Sequence, residues 1–450
     1  MITSVLGPRR AGALLPFSSL EAALGRGGRA FIDWLQSAGF AVWQFLPAGP
    51  TGAGGSPYWA RSDAAGNREL LDPQERPPLG TPEYRTFLEA SHAWLEDYAC
   101  FEAISRRQGG SPWQSWPAEY RDRESRALER VKRAEAERIR EVESEQFAFA
   151  WQWARLKAYA GEHGVALFGD LPFYVSPDSA ETWVARDQFQ LDAAGEPRAL
   201  AGVPPDYFSE LGQLWGNPLY DWDAMSRDGF AFWRARLRRQ LARVDLLRLD
   251  HFRAFAAHWA VPAGACDARG GAWKRTPGWA LLRAASFDLG RLALVAEDLG
   301  LITPDVVDLR RAFRLPGMRV LQFGFDGSCD NPHLPHMLDR DTVVYTGTHD
   351  NDTAAGWYAS LTTEGRRRVD EYLRLAQGAM PEALVAAALG SVSALAVIPV
   401  QDLLGLGSSA RFNTPATTHG NWTWRLPPGA LTRELAERYR HLNRTYGRAA

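Results

Sequence analysis

Four short apolar runs in this chain end in acids: Phe168-Gly169-Asp170, Arg248-Leu249-Asp250-His251, Ala296-Glu297-Asp298 and Gly347-Thr348-His349-Asp350-Asn351. A single acid after a strand is commonly a cap or turn residue, and Asp298 fits that role. Four such endings suggest instead a rim where carboxylates meet. Two carboxyl groups about 5–5.5 Å apart can cleave a glycosidic bond with retention, one attacking and the other donating a proton. Asp250 and Glu297 suit that pair if the runs before them are neighbouring strands, which lie about 4.8 Å apart. Arg248 stands two residues before Asp250, so alternation puts both side chains on one face, and a guanidinium there holds Asp250 ionised. Glu297, beside that negative charge in a dry pocket, keeps its proton and serves as general acid. Once Asp250 is esterified its charge is gone, and Glu297 becomes the base of a second half-reaction. His349 and Asp350 read either as a capped turn or as a clamp on sugar hydroxyls, with Asp350 then favouring a distorted, oxocarbenium-like ring. The nine histidines are scattered, with no HExxH pattern, so no zinc or other metal site is expected.

These acids need a frame. Apolar, β-rich runs recur at 11–17, 40–47, 165–175, 246–252, 292–298, 318–325, 342–350 and 395–402, with helical patterns at 28–38, 145–161, 230–242 and 303–313. Alternating strand and helix predicts a parallel sheet, and eight units predict a (β/α)8 TIM barrel of the α/β class. A doubly wound open sheet is the alternative; no GxGxxG follows the first strand, which weakens a dinucleotide site. In a barrel, chemistry gathers where strands end and loops begin.

Two insertions are expected. The barrel starts over 1–71 with strands one and two, and 72–145 forms a helical subdomain. Strand three follows over 146–175, a loop-rich subdomain over the cleft spans 176–226, and 227–450 completes strands four to eight. Within the first insertion, 121–145 carries eight basic and eight acidic residues, with Asp122/Arg126 and Glu129/Arg133 in the favourable i,i+4 order. Leu128, Val131, Ile139 and Val142 give it only a thin apolar stripe, so a solvated helix is expected. The second insertion interleaves Gly and Pro with aromatic and amide groups, as in Gly212-Gln213-Leu214-Trp215-Gly216-Asn217-Pro218.

The 450 residues balance 51 Lys and Arg against 53 Asp and Glu, a formal charge of −2 that offers no field for nucleic acid or an anionic membrane. Three separated cysteines, Cys100, Cys266 and Cys329, form neither a disulfide framework nor a CxxC site. Met1–Arg10 lacks the apolar core of a signal peptide, and no apolar run approaches the ~18 residues of a membrane span. A cytoplasmic protein is expected. Trp, at 18, outnumbers Tyr, at 13, and such rings can either pack the core or stack on sugars.

At this point the chain resembles the amylomaltases, or 4-α-glucanotransferases, of glycoside hydrolase family 77. The resemblance rests on Val42-Trp43-Gln44-Phe45-Leu46-Pro47, Ser56-Pro57-Tyr58, Gly169-Asp170-Leu171-Pro172, Gly202-Val203-Pro204-Pro205-Asp206-Tyr207-Phe208 and Gln213-Leu214-Trp215-Gly216-Asn217-Pro218. It continues through Arg248-Leu249-Asp250-His251-Phe252-Arg253, Ala296-Glu297-Asp298-Leu299-Gly300, Thr346-Gly347-Thr348-His349-Asp350-Asn351-Asp352, Gln401-Asp402-Leu403-Leu404-Gly405 and Gly420-Asn421-Trp422. Only residues 80–145 or so carry no such signature. The resemblance implies a barrel that cuts α-1,4-glucans and passes the cut segment to the 4-hydroxyl of another glucan. It implies Asp250 as nucleophile, Glu297 as acid/base and Asp350 as transition-state stabiliser, with Tyr58, Asp170, Arg248 and His349 on the sugar. Asp206, Gln213 and Trp215 match a loop over the cleft. Malto-oligosaccharides are the implied partners of a monomer, and no cofactor is implied. The chain departs from the family at Leu15-Pro16-Phe17-Ser18-Ser19-Leu20, at the short 21–28 segment, and at Ala53-Gly54-Gly55, Arg253-Ala254-Phe255 and Pro415-Ala416-Thr417.

Three rivals remain at the level of sequence. One is a glucan hydrolase on the same barrel, with water as acceptor. Another is a metal-dependent hydrolase ligated by Asp170, Asp250, His349 and Asp350. The third is a glucan-binding barrel without activity.

Overall fold

The computed structural model describes residues 4–205, 209–375, 379–417 and 419–449. Its strands in chain order are β1 (Arg10–Leu14), β2 (Val42–Gln44), β3 (Ala166–Leu171), β4 (Ala199–Val203), β5 (Gln213–Pro218) and β6 (Leu246–Leu249). They continue with β7 (Ala257–Pro262), β8 (Ala272–Arg275), β9 (Leu294–Ala296), β10 (Gly317–Val320), β11 (Thr342–Tyr345) and β12 (Leu395–Pro399). Eight of them form one parallel sheet in the order β10-β11-β12-β1-β2-β3-β6-β9. The Ala296 N–H donates to Pro316 O at 2.9 Å, bringing β9 back against β10 and closing the sheet into the expected (β/α)8 barrel. The strands are shorter than the apolar runs, because the run continues through side chains that pack past the last ladder bond.

Side-chain alternation builds two cores. Leu14, Val42, Phe168, Leu246, Val295, Val343 and Val397 point inward and fill the barrel. Trp43, Leu167, Leu247, Leu294 and Ala396 point outward under the helices. Trp43 is fully buried, and its indole N–H is satisfied by Leu15 O at 2.8 Å. Helices at Arg26–Ala38, Ala136–Glu162, Ala231–Arg243, Gly278–Leu289, Pro304–Ala312 and Glu382–Gly390 lead into β2, β3, β6, β9, β10 and β12. The first ends on Gly39 at φ 74°, a left-handed stop that suits glycine. The chain ends meet: buried Arg448 donates to the carbonyls of Arg10, Leu389, Ser391 and Ser393.

Residues 82–134 build helices at Pro82–Arg107, Ala118–Arg121 and Ser125–Ala134. Thr81 caps the first, accepting from Tyr84 N–H, with Pro82 in the first turn. The apolar stripe of 121–145 is not left to solvent. Val131 and Val142 pack with Phe101, Trp113, Trp116 and Trp183 in a separate core. Asp122 does not use its expected i,i+4 partner: it bonds its neighbour Arg121 and, across the fold, Arg186, both at 2.9 Å. The helix over Ala136–Glu162 serves both units, with Val142 in this core and Trp153 and Leu156 against the barrel.

The segment 176–226, expected as loops, carries β4 and β5. These join β7 and β8 in an antiparallel sheet ordered β5-β4-β7-β8. Half of that sheet therefore comes from residues 257–275, within the segment expected to complete the barrel. Gly202 pairs with Trp259 and Leu214, so the aromatic and amide groups of this region stand on strands, where rigid pairing sets their direction.

Candidate active site

The ladder of the barrel continues just past its strands and fixes the acids. Leu249 pairs with Ala296, which leaves Asp250 and Glu297 as the next residue on each of two adjacent strands. The Asp250 N–H donates to Leu171 O and the Glu297 N–H to Leu249 O, both at 3.0 Å. His251 then turns into the left-handed region at φ 49°, an uncommon conformation for a side chain of this size. The turn carries two N–H groups back to Glu297: His251 N–H to its Oε2 at 2.8 Å and Phe252 N–H to its carbonyl at 3.0 Å. Leu299 N–H holds the other carboxyl oxygen, Oε1, at 2.9 Å.

Asp250 is held differently, by a chain of charged side chains. Arg248 Nη2 donates to Asp250 Oδ1 at 2.8 Å, and Nη1 donates to both oxygens of Asp170 at 2.8 Å. Tyr58 donates its hydroxyl to Asp170 Oδ2 at 2.5 Å and lies 2.9 Å from His349 Nε2. That nitrogen is 3.2 Å from Asp350 Oδ2, and Asn413 donates to Asp350 Oδ1 at 2.6 Å. One continuous network therefore runs from Asp250 through Arg248, Asp170, Tyr58 and His349 to Asp350 and Asn413. Asp170, Arg248 and His349 are buried within it. Gln213 and Trp215 lie on β5, with Trp215 Nε1 donating to Gln213 Oε1 at 3.1 Å. The Trp215 ring meets His251 edge-on at 4.8 Å. Asp206, expected beside them, falls outside the described residues. Asp298, read as a structural acid, is buried and paired with Arg310 and Arg319 at 3.2 Å.

Electrostatics separates the acids. Burial raises the carboxyls of both Asp250 and Glu297. It lifts Glu297 to about 7, with the Asp250 charge adding to the rise and Arg248 opposing it. Burial lifts Asp250 to about 6, and the directly bonded Arg248 opposes that rise. Asp350 goes the other way: burial is outweighed by His349 and by Asn413, which hold its carboxyl well below the usual range. His251 is pushed down to about 3 by burial and by the charge of Arg253, so its imidazole stays neutral at the cleft. One proton thus has a preferred seat on Glu297, with Asp250 and Asp350 ionised beside it. That is the arrangement a retaining displacement at a sugar carbon requires. Among the described residues, no three His, Cys, Asp or Glu side chains are grouped so as to hold a metal ion.

Sequence reasoning missed several groups. Asn413 and Arg411 grip Asp350 from more than 60 residues away, Arg411 donating to its carbonyl at 2.6 Å. Trp422 stands 6.0 Å from the Tyr58 ring and 6.1 Å from that of His349. Buried Asp402 accepts from Thr346 Oγ1 at 2.6 Å and from Ala354 N–H at 2.7 Å, the two ends of the loop that carries His349 and Asp350. Asp402 and Trp422 lie in motifs the sequence displays, but without a role attached; Asn413 has no local signal.

Comparison with known proteins gives the family. A family model described as 4-alpha-glucanotransferase matches residues 74–432. A 4-alpha-glucanotransferase of Thermus thermophilus is 43% identical, with 96% of this chain and 98% of that one covered. One from Synechocystis sp. is 39% identical over 99% of each. Among solved structures, an amylomaltase from Streptococcus agalactiae in complex with acarbose superposes with a TM-score of 0.93 at 32% identity, covering 98% of this chain and 100% of that one.

Proposed function

The chain belongs to glycoside hydrolase family 77 and is a 4-alpha-glucanotransferase; from that premise we propose that it works by retaining double displacement at Asp250 and Glu297. The Asp250 carboxylate attacks the anomeric carbon of an α-1,4-linked glucose. The bond to the leaving oxygen breaks as Glu297 gives that oxygen its proton. The product is a glycosyl ester on Asp250 and a shortened glucan. The 4-hydroxyl of an acceptor glucan then attacks the same carbon, Glu297 takes its proton, and the carboxylate leaves.

The observation that carries this reading is the pairing of Leu249 with Ala296, which puts both acids one residue beyond adjacent strands. Arg248 keeps the nucleophile charged while compensating the low dielectric around it. Asp350, held ionised, faces the positive charge that develops on the ring in the transition state. Tyr58, Asp170 and His349 orient the sugar as substrate contacts. Gln213 and Trp215 do the same from β5, with Asp206 assigned by motif alone. Malto-oligosaccharides are the proposed substrates, in keeping with the acarbose held by the relative from Streptococcus agalactiae. A monomer is the proposed form. The free cysteines Cys100, Cys266 and Cys329 suit a reducing cytoplasm.

The test is a product profile from maltotriose. Glucose together with chains longer than the substrate is the expected outcome, whereas glucose and maltose alone would mark a hydrolase. Asp250→Asn should lower turnover on the order of 10⁴-fold or more.

A further inference from the structure

We propose that Trp422 is a specificity residue of this reaction: a stacking platform for the donor glucan on the side of the cleft away from the leaving group. The inference rests on Asp250 and Glu297 being the reacting pair, since their positions give the cleft its polarity. An acid that protonates the leaving oxygen must stand on the leaving-group side, and the acceptor later enters by the same side. Glu297 is clamped there by the His251 N–H, and the Trp215 ring packs against His251 at 4.8 Å. Trp215 therefore belongs to the acceptor side. The other end of the network, at Asp170, Tyr58, His349 and Asp350, faces the retained segment.

Trp422 joins that second end. Its ring centroid lies 6.0 Å from Tyr58 and 6.1 Å from His349, tilted 47° and 36° to them. Tyr58 and His349 are themselves stacked at 5.2 Å and 16°. Trp422 is half-buried: it packs on the barrel core beside Tyr58 and leaves part of its surface to solvent. Its backbone sits at φ 62°, where glycine or asparagine would be easier. That strained setting is braced: the Trp422 N–H donates to Phe412 O at 2.7 Å, and Asn421 Oδ1 accepts from Thr414 N–H at 2.9 Å. Phe412 is next to Asn413, which grips Asp350. One stretch of chain thus carries both a group that orients the stabilising acid and an indole beside the Tyr58–His349 pair. A flat apolar face there takes the apolar face of a glucose ring, not a charged or small polar ligand.

Glycosyl fluorides isolate the donor side, because fluoride leaves without occupying an acceptor site. With saturating maltose as acceptor, fluoride release is measured from α-maltotriosyl fluoride and α-glucosyl fluoride. Trp422→Ala should lower kcat/KM for the three-ring donor roughly five- to tenfold. It should lower the one-ring donor less than about twofold, with Trp422→Phe restoring most of the loss. The fraction of glycosyl lost to water should not change. Equal losses on both fluorides, no loss on the longer one, or a raised hydrolytic fraction would each overturn the assignment. Asp250→Asn reports separately on the catalytic pair: unimpaired fluoride release in that variant overturns the underlying reading whatever Trp422 does.

Discussion

At the scale of residues, the site divides two carboxylates by what holds them. Asp250 is bonded by a guanidinium and Glu297 by backbone N–H groups, and burial raises both, Glu297 to the higher value. The competent form has Asp250 ionised and Glu297 protonated. Activity therefore rises as pH climbs through the lower value, near 6, and falls as Glu297 loses its proton above about 7. A narrow bell in kcat/KM is expected, its limbs belonging to the pair as a unit. Glu297→Gln, assayed with a donor whose leaving group needs no proton, should lack the alkaline limb; a flat profile across pH 5–8 in the native chain would contradict the assignment. Transfer needs a second selection, between an acceptor glucan and water in vast excess. Trp215, beside His251, both seats a ring and excludes solvent. Trp215→Ala should raise the ratio of hydrolysis to transfer severalfold, read as free reducing sugar against chain-lengthened product. The acids and Arg248 could be named from sequence because a strand of fixed period delivers its last residues to one rim. Asn413 could not, since nothing near it in the chain marks it as the partner of Asp350.

At the scale of elements, the loops are positioned by buried ion pairs and caps more than by their own sequence. The Tyr58 loop is pinned by Arg61, which bonds Glu102 at 2.9 Å, Asp178 at 3.2 Å and Ser105 at 2.9 Å. Glu102 and Ser105 belong to the helix over Pro82–Arg107, so the helical insertion braces a loop of the site it does not otherwise enter. The loop carrying His349 and Asp350 is pinned at both ends by Asp402. Asp402→Ala leaves a buried N–H and a buried hydroxyl without their acceptor, at a cost of about 2–4 kcal/mol. Denaturant unfolding should show that loss, and kcat should fall with it because Asp350 loses its setting. The i,i+4 charge pairs expected over 121–145 illustrate the limit of local reading. The spacing is right for a helix surface, but Asp122 finds Arg186 across the fold instead.

At the scale of the whole molecule, barrel, insertion and second sheet meet around a few buried charges. Arg236 is nearly fully buried and uses all its donors: both oxygens of Asp63, the carbonyls of Pro172 and Phe173, and the Tyr220 hydroxyl. It ties the Tyr58 loop to the end of β3 and to the helix before β6. Arg236→Met strands Asp63 in a poorly solvated place and should destabilise by about 3–5 kcal/mol, measurable as a lowered denaturation midpoint. An unchanged midpoint would show that Asp63 finds another partner. Among the described residues no helix is long and apolar enough to cross a membrane. The sequence by itself determined the alternation of strand and helix, the barrel, and which acids reach its rim, because side-chain period and strand ends are local properties of the chain. Tertiary structure alone decided the second sheet, whose strands β4, β5, β7 and β8 come from two segments separated by barrel strand β6. It also decided which remote groups, Asn413, Asp402 and Trp422 among them, close around the acids. Such pairings depend on where distant loops come to rest in space, and no periodicity within a loop encodes its neighbour.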